Sequence, residues 1–303
     1  MHRLVVARYA ESLDWVTHVP DTFDIIVANK GAPILNEAVR ARARITERPN
    51  VGREGETYLH HIASTRLEPA RGGITAAGYT VFTQGDPFEH SPDFLALLEQ
   101  TAHWQDVQPL SWRWKIARDI PPTAILARET GAFVCGLRVR PEQFSLTSWA
   151  PLGFDDAGTQ WLNATYRRLH GLPEGSNIAA HFLDLCGLRS LALAAHTHRL
   201  GQFAYGAVFA VRTGMLANVP PDALAHLREA TCAHSVYGYV LERLWLHLFG
   251  IPFLLSLDAT PDQAAMLPAH GTRTFQRPET ANTLRRQKIV RLARRVGHLV
   301  AGR

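Results

Sequence analysis

Two stretches of sequence decide the fold that we predict, PNVGREGETYLHHI at 49–62 and YTVFTQGDPFEHSP at 79–92. In the first stretch, Tyr58 and Ile62 lie four residues apart, which predicts a helix after a loop containing proline and glycine. The second stretch opens with aromatic and β-branched residues, which predict a buried strand, and a Gly-Asp-Pro turn ends it. Ligands of open α/β sheets bind at the carboxyl ends of strands, so Asp86 in this turn marks a candidate site.

Two earlier apolar runs repeat the arrangement of a buried strand followed by polar residues. Leu4–Ala7 and Asp24–Ala28 are these runs, and the segment Ser12–His18 between them is compatible with a helix. This order predicts a parallel βαβ unit. Three strands that end in polar residues at one edge would form a pocket for a polar ligand.

Further elements follow from local patterns. The predicted helices are Ser91–Trp104, with Pro92 at its first position, Gln160–His170, Asn177–Leu185, Pro221–His234 and Val236–Phe249; the predicted strands are a weak one at 131–137 and a clear one at Ala204–Val211. The pattern indicates one α/β domain from residue 1 to about 275, with a mixed sheet flanked by helices.

Composition favours a cytoplasmic globular protein. The chain has 303 residues, of which 46% are hydrophobic, so it can bury a sizeable core. No apolar run approaches the roughly 20 residues that a membrane-spanning helix needs, and the first residues enter a strand pattern without the organisation of a signal peptide. Cys135, Cys186 and Cys232 are widely spaced, so we expect reduced, buried thiols.

The net charge of +5 is concentrated near the end of the chain, where arginines follow Leu284. Residues 284–300 have a helical apolar face with arginines on the other faces, which predicts a basic amphipathic helix in an extension at 276–303. Such a helix would contact an anionic membrane surface or a protein partner, or fold back on the domain. Because the remainder of the chain is close to neutral, the charge distribution argues against nucleic acid as a partner.

Segments in the first 95 residues resemble a known family. Asn50–Glu54, Tyr58–Ile62 and Val81–Phe88 with His90, together with the opening Val6–Tyr9, resemble the family called domain of unknown function 3431. Two later segments, Gly206–Val211 and Tyr237–Trp245, resemble segments of bacterial glycosyltransferases of the GT-A type.

The GT-A resemblance implies a Rossmann-like sheet that binds a nucleotide-sugar and transfers the sugar to an acceptor. It places the base and ribose beside the loops after the first two strands, and a metal-bound diphosphate beside the third. GT-A enzymes commonly carry Asp-x-Asp there, whereas this chain has Gln84-Gly85-Asp86, so only the last aspartate matches.

Asp86 is the first candidate for catalysis and for metal binding. A Mg²⁺ or Mn²⁺ ion on a diphosphate needs few protein oxygen ligands, and Gln84, Glu89 or His90 would assist one aspartate. Alternatively, Gly-Asp-Pro is only turn chemistry.

Three cations follow apolar strands or tight loops and would face one pocket. Arg8, Lys30 and Arg53 would stabilise the charge of a leaving diphosphate, although surface arginines are usually just solvated. Asn29 would contact a base or ribose, or would form a turn.

Glu242 is the candidate general base, because its apolar neighbours would raise its pKa. It would equally serve to pair with Arg243 and hold the helix in place. Asp155 and Asp156 are alternative bases, and Glu54 would complement a helix dipole.

Other features carry weaker hypotheses. His60 and His61 diverge on a helix, His196 and His198 lack a placed partner, and His270 would approach a diphosphate-bound metal. Five tryptophans would provide a wall for sugar stacking or fill a core. They are Trp104, Trp112, Trp114, Trp149 and Trp161.

The expected function is glycosyl transfer from a nucleotide-sugar to a hydroxyl of an acceptor, with a divalent metal. The alternative is a nucleotide-binding scaffold without catalysis, whose basic tail engages a membrane or a protein. A third hypothesis, which the charge distribution favours less, is binding of nucleic acid through the arginine tail.

Overall fold

The computed structural model describes residues 1–65, 76–91, 94–111, 141–152 and 157–255. Several predicted features lie outside these ranges, so they stay predictions. They are the domain boundary near residue 275, the extension at 276–303, the weak strand at 131–137, Pro92, Trp112, Trp114, Cys135, Asp155, Asp156 and His270.

The strands are numbered in chain order. They are β1 His2–Arg8, β2 Phe23–Asn29, β3 Arg44–Glu47, β4 Tyr79–Gln84, β5 Val107–Pro109, β6 Glu142–Ser145, β7 Leu200–Phe203 and β8 Phe209–Arg212. Within the described ranges, six of them form one mixed sheet in the order β3-β2-β1-β4-β8-β5, and β6 pairs with β7 in a separate sheet.

The predicted parallel pairing of the first two strands is confirmed, and the segment between them forms a 3-10 helix, Asp14–His18, instead of an α-helix. β1 pairs in parallel with both β2 and β4, and β2 pairs in parallel with β3. β8 is antiparallel to β4 and β5. Because β2 lies on one side of β1 and β4 on the other, the strand order reverses at β1, and the carboxyl ends of β1 and β4 flank the crevice where open α/β sheets bind ligands.

The helices are also numbered in chain order. They are α1 Glu37–Arg42, α2 Arg53–Thr65, α3 Phe94–Leu98, α4 Ala157–His170, α5 Ile178–Leu185, α6 Arg189–Thr197, α7 Pro221–Ala233, α8 Ser235–Glu242 and α9 Trp245–Leu248. Helix and strand contents together make this an α/β protein whose sheet is compatible with a Rossmann-like fold.

Alternation along the central strands builds a core on each face of the sheet. Val5 and Phe82 belong to one core, which includes Tyr58 and Ile62 of α2, whereas Leu4 belongs to the other. The Tyr58 and Phe82 rings lie 4.9 Å apart between centroids. The apolar spacing that predicted α2 is therefore the face that anchors this helix to the sheet.

The predicted strand Ala204–Val211 is wrong over its first half. β7 ends at Phe203, and a 3-10 turn at Tyr205–Ala207 precedes β8. Gly206 has φ of 66° and Ala207 has φ of 54°, so this backbone turns through a left-handed conformation that no strand adopts. Because most residues of the segment are apolar, its sequence predicted a strand and not this turn.

Two predicted helices are shorter than the sequence indicated. Of Ser91–Trp104, the described part is helical at Phe94–Leu98 and forms a 3-10 turn at Thr101–His103. Val236–Phe249 is divided between α8 and α9, because the Arg243 N–H bonds to the Val240 carbonyl three residues back and closes the helix. Six elements were not predicted, namely α1, β3, β5, β6, α6 and β7.

Of the cysteines within the described ranges, Cys186 is buried and Cys232 is exposed, and neither forms a disulfide. The prediction of buried thiols is therefore wrong for Cys232. Among the described residues, no helix combines the length and hydropathy that crossing a bilayer would require.

Candidate functional site

A cavity of about 340 Å³ lies where β4 ends and the turn before β8 begins. Its wall includes five of the predicted site residues, Arg53, Gln84, Glu89, His90 and Glu242, whereas Asp86 is not among the residues that line it. They come from the start of α2, the end of β4, the turn that follows it and the end of α8. The fold thus brings together residues that are far apart in the sequence.

Gly206 is held between two of these residues. The Gln84 side-chain amide donates to the Gly206 carbonyl at 2.8 Å, and the Gly206 N–H donates to Glu242 Oε1 at 3.1 Å. A Cβ atom at this position would lie well inside van der Waals contact with the His90 ring. Together with its positive φ, this close approach requires glycine here, and it fixes the turn against the cavity.

Glu242 is the carboxylate whose ionisation this environment changes most. Burial, and then the charge of nearby Glu54, raise its pKa to about 7, although Arg243, Arg53 and the Gly206 N–H oppose the shift. The side chain is half-buried and lines the cavity. A carboxyl group with this pKa is suited to exchanging a proton near neutral pH.

Arg53 is placed by an unusual backbone conformation, with φ of 51° at the first residue of α2. Its guanidinium lies 4.1 Å from the ring centroid of Tyr239, and its Nε lies 3.4 Å from Glu54 Oε2. Tyr239 and Glu54 therefore hold a cation at the cavity wall, where its charge suits an anionic ligand.

Lys30 supports Arg53 from outside the cavity. Its ammonium donates to the carbonyls of Val51 and Arg53 and lies 3.2 Å from a carboxylate oxygen of Glu56. Lys30 is buried by these contacts. The structure thus uses Lys30 to fix the start of α2, and a phosphate contact would require these bonds to break.

Glu56 is the centre of a charge cluster behind α2. Its buried carboxylate contacts Lys30, Arg48 and Arg228. Burial raises the pKa of Glu56, but Lys30 and Arg48 outweigh burial and hold this pKa below its usual range. The cluster connects the loops after β2 and β3 with α2 and α7.

Arg8 and Asn29 lie at the ends of β1 and β2 and are not part of this cavity wall. The Arg8 guanidinium donates to Asn29 Oδ1 at 2.7 Å, and the Asn29 amide donates to Glu47 at 3.0 Å. Both side chains also contact the carbonyl of Ala32. In the structure they fasten the loops after the first two strands to each other.

Asp86 caps the short 3-10 helix Pro87–Glu89, because its Oδ1 accepts from the Phe88 N–H at 3.2 Å. This bond is turn chemistry, the alternative role of Asp86. Beside it, Trp15 donates to the Gly85 carbonyl at 2.9 Å, and a Cβ on Gly85 would lie 2.6 Å from Glu11 Oε2. The loop after β1 therefore packs closely on the turn that carries Asp86.

Several wall residues were not predicted. Tyr205 packs edge-on against His90 with centroids 4.6 Å apart, and Thr159 of α4 accepts from Arg243 at 3.0 Å. Tyr205 lies in the segment that the sequence predicted to be a strand, and Thr159 belongs to no motif that would have marked it.

The tryptophans proposed for a stacking wall differ in how deeply they are buried. Of those that lie in the described ranges, Trp104 and Trp149 are buried, as core residues would be. Trp161 is exposed and packs edge-on against Tyr239, which lines the cavity.

The histidines of the described ranges do not form a metal site. No group of three or more His, Cys, Asp or Glu side chains in these ranges is placed to hold an ion. His61 of α2 packs against Phe82 of the sheet, and burial lowers its pKa to about 3. His198 Nδ1 lies 2.6 Å from the Ala194 carbonyl.

Comparison with known proteins adds no assignment. No model of a protein family matches the chain, and no curated protein matches its sequence.

Proposed function

We propose that the cavity is the active site of a glycosyltransferase that moves a sugar from a nucleotide-sugar donor to a hydroxyl of an acceptor. Glu242 is the general base. The observation that carries this proposal is a half-buried carboxyl group, with its pKa raised to about 7, in a cavity that also holds a cation. Perturbed carboxyl groups in clefts are typical of catalytic sites.

The position of the cavity supports a ligand-binding role. It lies at the carboxyl end of β4, the strand that borders the point where the strand order reverses, and no residue of β1 or of the loop after β1 lines it. Ligands of open α/β sheets bind at this edge. The GT-A type of fold remains part of the proposal, beyond the Rossmann-like sheet itself.

In the proposed reaction, Glu242 accepts the proton of the acceptor hydroxyl as the hydroxyl oxygen attacks the anomeric carbon. The bond from that carbon to the diphosphate oxygen breaks, and the nucleoside diphosphate leaves with the electron pair. Arg53 stabilises the negative charge that develops on the diphosphate. Direct attack by the acceptor inverts the configuration at the anomeric carbon.

Asp86 and His90 are the residues that would hold a Mn²⁺ or Mg²⁺ ion carried by the diphosphate. A carboxylate is a suitable hard ligand, and such an ion needs only one or two protein carboxylates. The ion would neutralise diphosphate charge. Gln84 would contact the donor from the end of β4, although its amide also holds Gly206.

The remaining donor contacts are less direct. Arg8 and Asn29 would reach a base or ribose only if their mutual hydrogen bond opened. Lys30 would act on the donor by fixing the backbone that carries Arg53.

Isothermal titration tests the donor site. The protein is titrated with nucleoside diphosphates and their sugars, with and without Mn²⁺, and the titration is repeated on Asp86→Ala. We expect one nucleotide to bind with metal dependence and to lose that dependence in the variant. If the folded protein binds no member of the panel, the glycosyltransferase proposal is wrong.

The scaffold alternative is favoured by the internal bonding of Arg8, Asn29 and Lys30, which gives structural roles to three predicted donor contacts. A scaffold would bind a nucleotide without turnover and would use its basic tail on a membrane or a protein partner. Release of nucleoside diphosphate from the bound nucleotide-sugar distinguishes the enzyme from the scaffold. Without an acceptor, the enzyme would still hydrolyse its donor slowly, whereas the scaffold would not hydrolyse it.

A further inference from the structure

A second cavity, of about 260 Å³, lies on the α2 side of the sheet, over β1, β2 and β3. We call it the sheet-face cavity. Val5, Ile26 and Ala28 form its apolar floor, and the second half of α2 forms one wall. The sheet-face cavity shares no wall residue with the candidate active site among the residues that line each.

The charged side chains that line the sheet-face cavity are mostly cations. Arg3, Arg44 and Arg48 line it, against a single carboxylate, Glu47, which accepts from the Asn29 amide. Arg3 pairs with Asp24, and Arg48 pairs with Glu56. Arg44 is exposed and forms no ion pair with any residue in the described ranges, so its charge is available to a ligand.

Buried donors at the sheet-face cavity lack acceptors. The Thr57 side chain is only 2% exposed, and its hydroxyl has no hydrogen-bond partner among the described residues. The Arg48 Nε atom is buried and has none there either. Because unsatisfied buried polar groups are uncommon and costly, these donors indicate that an acceptor belongs beside them.

Two histidines on the same wall remain neutral. Burial, then the charge of Arg3, lowers the pKa of His61 to about 3, and burial, then the charge of Arg48, lowers that of His60. The charges of Arg3 and Arg48 contribute to these shifts, although Glu56 opposes the shift at His60. A neutral imidazole still offers an N–H donor to an anion.

We propose that the sheet-face cavity binds the phosphate group of a small phosphate monoester, with the apolar part of the ligand on Val5, Ile26 and Ala28. Arginine side chains match the geometry of phosphate oxygens. A phosphate dianion also interacts with several cations more strongly than a ligand with one carboxylate group would. The volume is close to that of small-molecule sites, which are typically about 300 Å³ or larger.

Ligand-observed saturation-transfer NMR with phenyl phosphate tests this proposal on the full chain. The matched pair of variants is Arg44→Gln and Arg40→Gln, since Arg40 is also exposed but lies on α1 and does not line the cavity. We expect Arg44→Gln to weaken binding at least about tenfold, as the loss of a charged hydrogen bond does. Arg40→Gln should change the Kd less than about twofold, since it removes no hydrogen bond to the ligand.

A third variant, Thr57→Val, keeps the shape of the side chain and removes the hydroxyl. It should weaken binding by roughly two- to tenfold, the range of a neutral hydrogen bond. Arg53→Gln tests the other cavity, and phenyl phosphate binding should survive it. Binding that is lost with Arg53→Gln and retained with Arg44→Gln would place the ligand in the candidate active site and overturn the proposal.

Three further results would also overturn it. Equal weakening by Arg44→Gln and Arg40→Gln would show a general attraction to surface charge. Benzoate binding as tightly as phenyl phosphate would show that the site does not select phosphate. The third is the absence of saturable binding by wild-type protein with a folded circular dichroism spectrum.

Discussion

The half-burial of Glu242 has a cost that depends on pH. Its pKa in the folded protein is about 7, whereas an unfolded chain has a glutamate pKa of about 4.3. The folded state therefore holds the proton more tightly, and ionisation destabilises it progressively as the pH rises from about 4.3 to 7. Above pH 7 the whole cost is present.

From this we predict that Glu242→Gln is more stable relative to wild type at pH 8 than at pH 5, by roughly 1 to 3 kcal/mol. Urea unfolding at the two pH values measures the difference. The exposed Glu229, changed to glutamine, is the control and should show no such gain. A difference between Glu242→Gln and wild type that is independent of pH would contradict the raised pKa.

Glu56 makes the opposite contribution. Its pKa is held below the usual range by Lys30 and Arg48, so its carboxylate stabilises the fold above the unfolded pKa of about 4.3. That contribution is lost as the pH falls through the folded pKa. Glu56→Gln leaves three cations without their partner, which costs about 3 to 5 kcal/mol at pH 7.

The same urea measurement checks Glu56→Gln. We expect its deficit against wild type to shrink between pH 7 and pH 3, because wild type then loses the carboxylate that the variant lacks. A deficit that stays constant over this range would show that packing, and not charge, keeps Glu56 in place.

The candidate site was partly predictable one residue at a time. Glu242 stands between Leu241 and Leu244, and this apolar context alone indicated a raised pKa. The role of Lys30 was not predictable, because its salt bridge with Glu56 joins residues that come together only in the fold. A lysine after a strand looks the same whether it faces a ligand or a buried carboxylate.

The turn between β7 and β8 is the element that shapes the candidate active site. We predict that Gly206→Ala destabilises the protein by about 2 to 4 kcal/mol. This cost is the sum of the clash with His90 and the strain of a left-handed backbone. Gly175→Ala is the matched control, since Gly175 has φ of 79° and no atom within 4 Å of the position that a Cβ would occupy.

For Gly175→Ala only the backbone strain applies, about 1 to 2 kcal/mol. Thermal unfolding of the two variants measures the difference between them. If both lose the same stability, the contact between Gly206 and His90 does not constrain the turn. A larger loss in Gly206→Ala should also disturb the Gln84 and Glu242 hydrogen bonds to this residue.

Elements with strong periodicity were predictable, and weakly patterned ones were not. β1, β2 and α2 follow apolar runs or spacing, whereas β3 has the exposed, polar sequence Arg-Ile-Thr-Glu of an edge strand. Helix ends were harder to predict, because closing bonds such as that of Arg243 leave no sequence pattern. Long, buried segments can therefore be predicted from their sequence, whereas short, exposed ones cannot.

Across the protein, long-range contacts assemble the proposed active site. The hydrogen bonds of Gly206 reach 122 residues back to Gln84 and 36 residues forward to Glu242. Tyr58 adds a bond to the Ala207 carbonyl, 149 residues away. The site therefore forms only when the sheet, α2 and α8 are all packed, and loss of any one of them removes the base or its neighbours.

The packed molecule as a whole sets the pKa of Glu242, and this pKa predicts a pH profile for catalysis. Since Glu242 must be ionised to accept a proton, nucleoside diphosphate release from the donor should rise with pH and level off above about 7. Glu242→Gln should lower the rate by about 10²- to 10⁴-fold and abolish the rise. Initial rates between about pH 5 and 9 measure both effects, with Glu229→Gln as the control; a rate that survives in Glu242→Gln would remove Glu242 from the reaction.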